Sequence, residues 1–260
     1  MQNGLTTLLW IIFGFTAGLC FGSFANVIIY RLPRKTSIIS PPSACTTCNH
    51  RLAFYDMFPV VSWILLRGHC RHCRSKISSR YPLTELACGL LFAGMVYFTP
   101  SLSAVFLSLF SFILLAVSVI DWETQEIPDG LLVTAALVGA GWIAAGHFSD
   151  LFPYAPVFID AVLGIIASGL PLFVIDRLVL LLAKKDGFGY GDVKLMAVCG
   201  LFLGWQLVLV AFIIAFISGG MYATFLLITS RAKSGEYIAF GPFLCAGVIG
   251  ALWFGRALWN

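Results

Sequence analysis

The chain has 260 residues, of which 60% are hydrophobic and only 11% charged. Soluble globular domains carry about 25% charged residues, so a mean hydropathy of +0.94 excludes an ordinary soluble enzyme and points to membrane helices. The net charge of +4 is small, and its distribution along the chain says more than its sum; no nucleic-acid partner is expected.

Eight apolar segments are expected, near 5–30, 83–99, 102–120, 130–146, 157–182, 191–205, 207–229 and 239–258. The first is too long for the apolar core of a cleaved signal and has no basic residue before it, so it reads as a retained anchor. The sixth and seventh are separated only at Gly204-Trp205, which predicts a hairpin. The fold class is therefore all-α and polytopic, with about eight transmembrane helices. Three parts are expected: a first helix (1–30), a small extramembrane domain (31–82) and a seven-helix core (83–260).

Orientation follows from Lys and Arg. Arg31, Arg34, Lys35, Arg51, Arg67, Arg71, Arg74, Lys76 and Arg80 follow the first segment, Lys184, Lys185 and Lys194 flank the fifth-to-sixth connection, and Arg231 and Lys233 follow the seventh. With eight spans all of these lie on one side. The opposite connections, 99–101 and 147–156, hold no Lys or Arg. The basic side is expected to be cytoplasmic, which leaves both termini periplasmic.

Cys20, Cys88, Cys199 and Cys245 stand alone in apolar segments and read as packing residues. Cys45 and Cys48 form one C-x-x-C, and Cys70 and Cys73 form another after 21 intervening residues. That pattern suits a tetrahedral zinc ion. Two disulfides or four idle thiols are the competing readings, and disulfides are disfavoured in a reducing compartment. Four sulfurs close the coordination shell, so a structural zinc is expected, supplying folding energy that a unit of about 50 residues lacks. His50, His69 and His72 are nearby and not needed.

Two acidic residues stand out. Asp121 ends the apolar run Leu114–Ile120, where a carboxylate is costly; it is either functional or an interfacial side chain. Asp192 lies in Gly187-Phe188-Gly189-Tyr190-Gly191-Asp192-Val193-Lys194 and opens the sixth segment; it is either functional or a helix N-cap. Both fall at the same membrane edge. A carboxylate pair there could share a proton in hydrolysis, one acting as base and the other as acid. The same pair could instead serve a proton-coupled transporter.

The ordered motifs resemble the type IV prepilin peptidase family over almost the whole chain. They are Gly22-Ser23-Phe24-Ala25-Asn26 through Arg31-Leu32-Pro33, the two C-x-x-C pairs, and Ile77-Ser78-Ser79-Arg80-Tyr81-Pro82-Leu83-Thr84-Glu85. Asp121 with Ile127-Pro128-Asp129, then Gly189-Tyr190-Gly191-Asp192-Val193-Lys194, then Phe240-Gly241-Pro242-Phe243 complete the set. Two departures are visible: Asp56-Met57-Phe58-Pro59 stands for the usual Asp-Asn-Ile-Pro, and Ala25 for a common Leu.

The resemblance implies an aspartic endopeptidase of the bacterial inner membrane. It would remove the short basic leader of prepilins or pseudopilins after a glycine, at the cytoplasmic face. It also implies N-methylation of the new N-terminal residue with S-adenosylmethionine, an activity that goes with the cysteine-bearing domain. The family's catalytic pair maps onto Asp121 and Asp192. Supporting roles are expected for Gly189 and Gly191 in admitting the substrate backbone, for Lys194 in holding a carboxylate or lipid phosphates, and for Glu85 at the start of the second helix. Asp129 reads as the N-cap of the fourth helix, and Pro242 as part of a first helical turn. Opposite helix ends predict Asp192 as the starting base and Asp121 as the starting acid.

Overall fold

The computed structural model describes residues 4–183, 189–229 and 238–259. Lys184, Lys185, Arg231 and Lys233, used above for orientation, lie outside the described residues. The chain divides into two compact units, one of residues 1–100 and 107–116, the other of residues 101–106 and 117–260.

In the first unit, α1 (Gly4–Arg31) and α3 (Arg80–Phe98) pack against each other. A Cβ on Gly18 would lie 2.6 Å from the Cys88 carbonyl oxygen, and one on Gly22 would lie 2.6 Å from the Glu85 Cα. The two backbones touch, as they do in bilayers, where close packing of small residues replaces the hydrophobic drive between helices. α1 stops one residue after the expected segment, just before Leu32-Pro33, because proline removes a donor and restricts its predecessor. Between α1 and α3 lie a 3-10 turn, Phe54–Met57, and the short helix α2, Val61–Leu65. The middle of α4 (Ser103–Thr124) belongs to this unit, with Phe112 against Phe21 and Phe24 at ring-centroid separations of 5.5 and 6.2 Å.

The second unit contains the two ends of α4 with α5 (Asp129–Phe148), α6 (Phe158–Ala183), α7 (Tyr190–Ile228) and α8 (Gly241–Trp259). Gly164 of α6 faces Gly200 of α7 backbone to backbone. α7 is helical throughout except at Gly204, whose φ of 64° and ψ of 173° only glycine adopts at ease. Asp192 near the start of α7 lines the same cavity as Asp121, while Tyr222 near its end meets Trp122 at 5.4 Å between ring centroids. Both ends of α7 therefore return to the end of α4, and the expected hairpin forms about a single residue. α8 begins with Gly241-Pro242 and packs on the second half of α7, where a Cβ on Gly247 would meet Ala211 and Ala215.

Among the described residues, six helices are long and apolar enough to cross a membrane, and the apolar part of α8, Gly241–Gly255, is shorter. The difference from eight is slight. Two expected segments are merged in α7, and the last corresponds to α8, Gly241–Trp259. The chain is a multi-pass, all-helical membrane protein, and among the described residues the only β pairing is two isolated bridges, Ala44 with Arg51 and His69 with Lys76.

Candidate active site and metal centre

Asp121 sits in the last turn of α4. The helix closes on Gln125, whose left-handed backbone (φ 55°, ψ 31°) lets its N–H donate to the Asp121 carbonyl at 2.8 Å. The extended Ile127-Pro128 link then turns the chain into α5. Asp192 is the third residue of α7, its N–H donating to the Gly189 carbonyl at 2.9 Å. Gly189 holds the N-cap position, so Asp192 is not the cap. The opposite helix ends expected for the two carboxylates are both present.

Asp121 is 5% exposed and Asp192 3%. They line one cavity of about 360 Å³ together with Gln125, Glu126, Asp129, Tyr190 and Lys194. The Gly241 N–H donates to Asp121 Oδ2 at 3.0 Å. A Cβ at that position would lie 2.6 Å from the same oxygen, so only glycine lets the backbone serve this carboxylate. Among the described residues, Asp192 Oδ1 is buried with no hydrogen-bond partner. Two carboxylates out of bulk water, one oriented and one with an open oxygen, make an arrangement fit to bind and deprotonate a water molecule.

The supporting residues divide. Gly189 and Gly191 both border the cavity. Gly191 also accommodates Ile127, whose Cβ would be 3.1 Å from an added Cβ, so its bareness serves protein packing. Lys194 donates to Asp129 Oδ1 at 2.8 Å and stands 4.9 Å from the centre of the Tyr190 ring. Asp129 is the first residue of α5, one past the N-cap position that Pro128 holds; the expected N-cap role gives way to this ion pair. Pro242 occupies the first turn of α8, as expected. Glu85 is elsewhere. It is the sixth residue of α3 rather than its start, because the helix already begins at Arg80. It is buried in the first unit and accepts the Val60 N–H at 2.7 Å. The Gly241 amide and Gln125 and Glu126 were not singled out from sequence, although Phe240-Gly241-Pro242-Phe243 marked the region.

The cysteine cluster forms in the first unit. One ligand sulfur from each of Cys45, Cys48, Cys70 and Cys73 lies within 4.8 Å of the others. Cys45 and Cys73 Sγ are 3.8 Å apart, equal to the edge of about 3.8 Å that a tetrahedron with Zn–S of about 2.3 Å requires. The two knuckles are copies. In each, the residue after the second cysteine has positive φ (Asn49 55°, Arg74 60°) and donates its N–H to the first cysteine's carbonyl, at 2.9 and 3.0 Å. The Cys48 and Thr47 N–H groups, with help from Ser75, hold the Cys45 thiol down to about 6, against the cost of burial. Ser75 likewise lowers Cys73. Cys48 also receives a backbone N–H, from His50, yet desolvation and its Cys73 and Cys45 neighbours push it up to about 11. The protein thus favours the Cys45 and Cys73 thiolates and disfavours that of Cys48; a divalent cation would remove that conflict. His50 and His72 stack at 4.3 Å outside the sulfur cluster.

The Bacterial Peptidase A24 N-terminal domain model matches residues 16–99, and the Type IV leader peptidase family model matches residues 107–224. The chain belongs to the type IV leader peptidase family. It is 37% identical to a prepilin leader peptidase/N-methyltransferase of Burkholderia pseudomallei over 280 residues, covering 96% of this chain and 87% of the relative. It is 34% identical to that of Stutzerimonas stutzeri over 272 residues (95% and 91%) and 34% identical to that of Pseudomonas aeruginosa over 262 residues (91% and 88%). No solved structure matches. Leader peptidase relatives give no support to the transporter alternative.

Proposed function

We propose that Asp121 and Asp192 are the catalytic pair with which this prepilin leader peptidase and N-methyltransferase cuts its substrates. The observation that carries the assignment is their meeting in one cavity, where the Gly241 N–H orients Asp121 and Asp192 Oδ1 is left without a protein partner. Asp192 serves as base, taking a proton from water as the oxygen attacks the carbonyl of the leader glycine. Asp121 serves as acid, its Oδ2 engaged by the amide and its other oxygen free to give a proton to the departing amine. The two titrate as a unit. A pH–rate profile with a single carboxylate ionisation that persists in Asp121→Asn would sink the shared-proton scheme.

We assign Cys45, Cys48, Cys70 and Cys73 to a structural zinc. Their four sulfurs fit its geometry and leave no open coordination position for catalysis. S-adenosylmethionine would supply the methyl group. The cytoplasmic face of the bacterial inner membrane is the expected working site, with both termini periplasmic. Prepilins or pseudopilins are the substrates, held by their apolar segment in lipid. The deciding experiment is leader cleavage in liposomes by the wild type, Asp121→Ala and Asp192→Ala. Loss in both is expected, and retained cleavage in either overturns the pair. Mass measurement of the new N-terminus with and without S-adenosylmethionine reads methylation.

A further inference from the structure

α2 is built inside out. Val61, Ile64 and Leu65 recur at helical spacing, share one face, and are 55%, 60% and 76% exposed. The polar residue of the helix, Ser62, is buried and donates to the Tyr55 carbonyl at 2.8 Å, which ties α2 to the 3-10 turn. Phe54 and Phe58 meet edge to face, 5.4 Å between centroids, and both are exposed. A short helix with its hydroxyl inside and its aliphatic side chains outside is stable only where the outside is apolar.

Its depth says what that medium is. The Val60 N–H, at the entrance to α2, reaches Glu85 in the membrane helix α3. Glu85 is five residues beyond the helix start at Arg80, which at the helical rise places it about 8 Å along the axis. The exposed Leu83 of α3 lies about 3 Å nearer the helix start, and the exposed Leu86 and Leu90 lie deeper. The bond therefore holds α2 beside the first turns of a spanning helix, not above its end. Interfacial helices lie about 5–10 Å into the headgroup and acyl boundary. Val60 keeps this position with a φ of 61°, a conformation costly for a β-branched residue, so the surroundings hold it there. Charge fits too. Residues 31–82 carry nine Lys or Arg and one acid, Asp56, and Asp56 is neutralised by Arg71 at 2.8 Å. A basic surface with an apolar ridge matches an anionic lipid surface.

We propose that the Phe54–Leu65 ridge is a lipid anchor that seats the cysteine-bearing domain in the bilayer surface, hung from α3 by the Glu85–Val60 hydrogen bond. The test uses the full chain reconstituted in liposomes of phosphatidylethanolamine and phosphatidylglycerol. A photoreactive benzophenone amino acid is placed at Val61, Ile64 or Leu65 in three separate variants, so that one misfolded variant leaves two, and at the buried Ser62 as a control. Irradiation is expected to give adducts heavier by one phospholipid at the three outward positions and none at Ser62, whether or not a prepilin is present. Adducts formed only with the prepilin, cross-links between two copies of the chain, or no adduct at all would each overturn the proposal.

Discussion

The cysteine centre and the carboxylate centre are assembled by opposite routes. The four sulfurs come from two turns, each closed by hydrogen bonds spanning four or five residues; the arrangement is local, and the two turns differ little from each other. The two carboxylates come from separate helices, and the amide serving Asp121 lies 120 positions away. To one centre we assign a structural ion that would hold a small basic domain together. The other depends on the packing of α4, α7 and α8. The lesson is that each should fail by its own mechanism, and this separation can be attacked directly.

The largest expected effect is on the carboxylates. Removing either Asp121 or Asp192 should lower leader cleavage by about 10³-fold or more, since a positioned acid or base contributes about 10²–10⁴. Metal content and methylation of an already processed pilin should persist. Joint loss of both activities would show that the two centres are not separable. Next is Cys70→Ser. It should abolish stoichiometric zinc and methylation, because a structural zinc supplies about 10–16 kcal/mol of apparent binding energy to such a domain. Zinc content by atomic absorption and product mass are the readouts; unchanged methylation in the zinc-free variant would end the structural-metal assignment.

Gly241→Ala should act in between. Its added methyl would press on Asp121 Oδ2, and displacement of a reacting group by about 1 Å costs about 100-fold. Gly130→Ala, with nothing within 4 Å of the added Cβ, is the matched control and should keep its rate. Steady-state cleavage of both variants checks this. The smallest effect is expected from Lys194→Ala. The partner Asp129 is 70% exposed at its side chain, and exposed ion pairs contribute about 0–1 kcal/mol. Thermal unfolding in detergent should shift little, whereas a large fall in cleavage with unchanged stability would move Lys194 into the substrate site.

Much of this was legible in the sequence because the physics was local or compositional. Apolar length gave the spans, and the C-x-x-C spacing gave the four-sulfur cluster. Gly204 marked the hairpin because no other residue adopts its backbone at ease. Asp121 and Asp192 were readable as candidates because a carboxylate at the end of an apolar run needs a reason. Tertiary structure decided the rest. Asp129 looked like a cap and became the partner of Lys194, a choice that depends on where α7 begins relative to α5. Glu85 looked like a helix-start acid and became the acceptor for a strained loop, because α3 starts earlier and Val60 is brought beside it. Gly241 could be seen as a motif residue, but its amide bond to Asp121 exists only once α8 packs against the end of α4. Pattern records what one segment prefers; which buried oxygen meets which distant N–H is set by packing between segments.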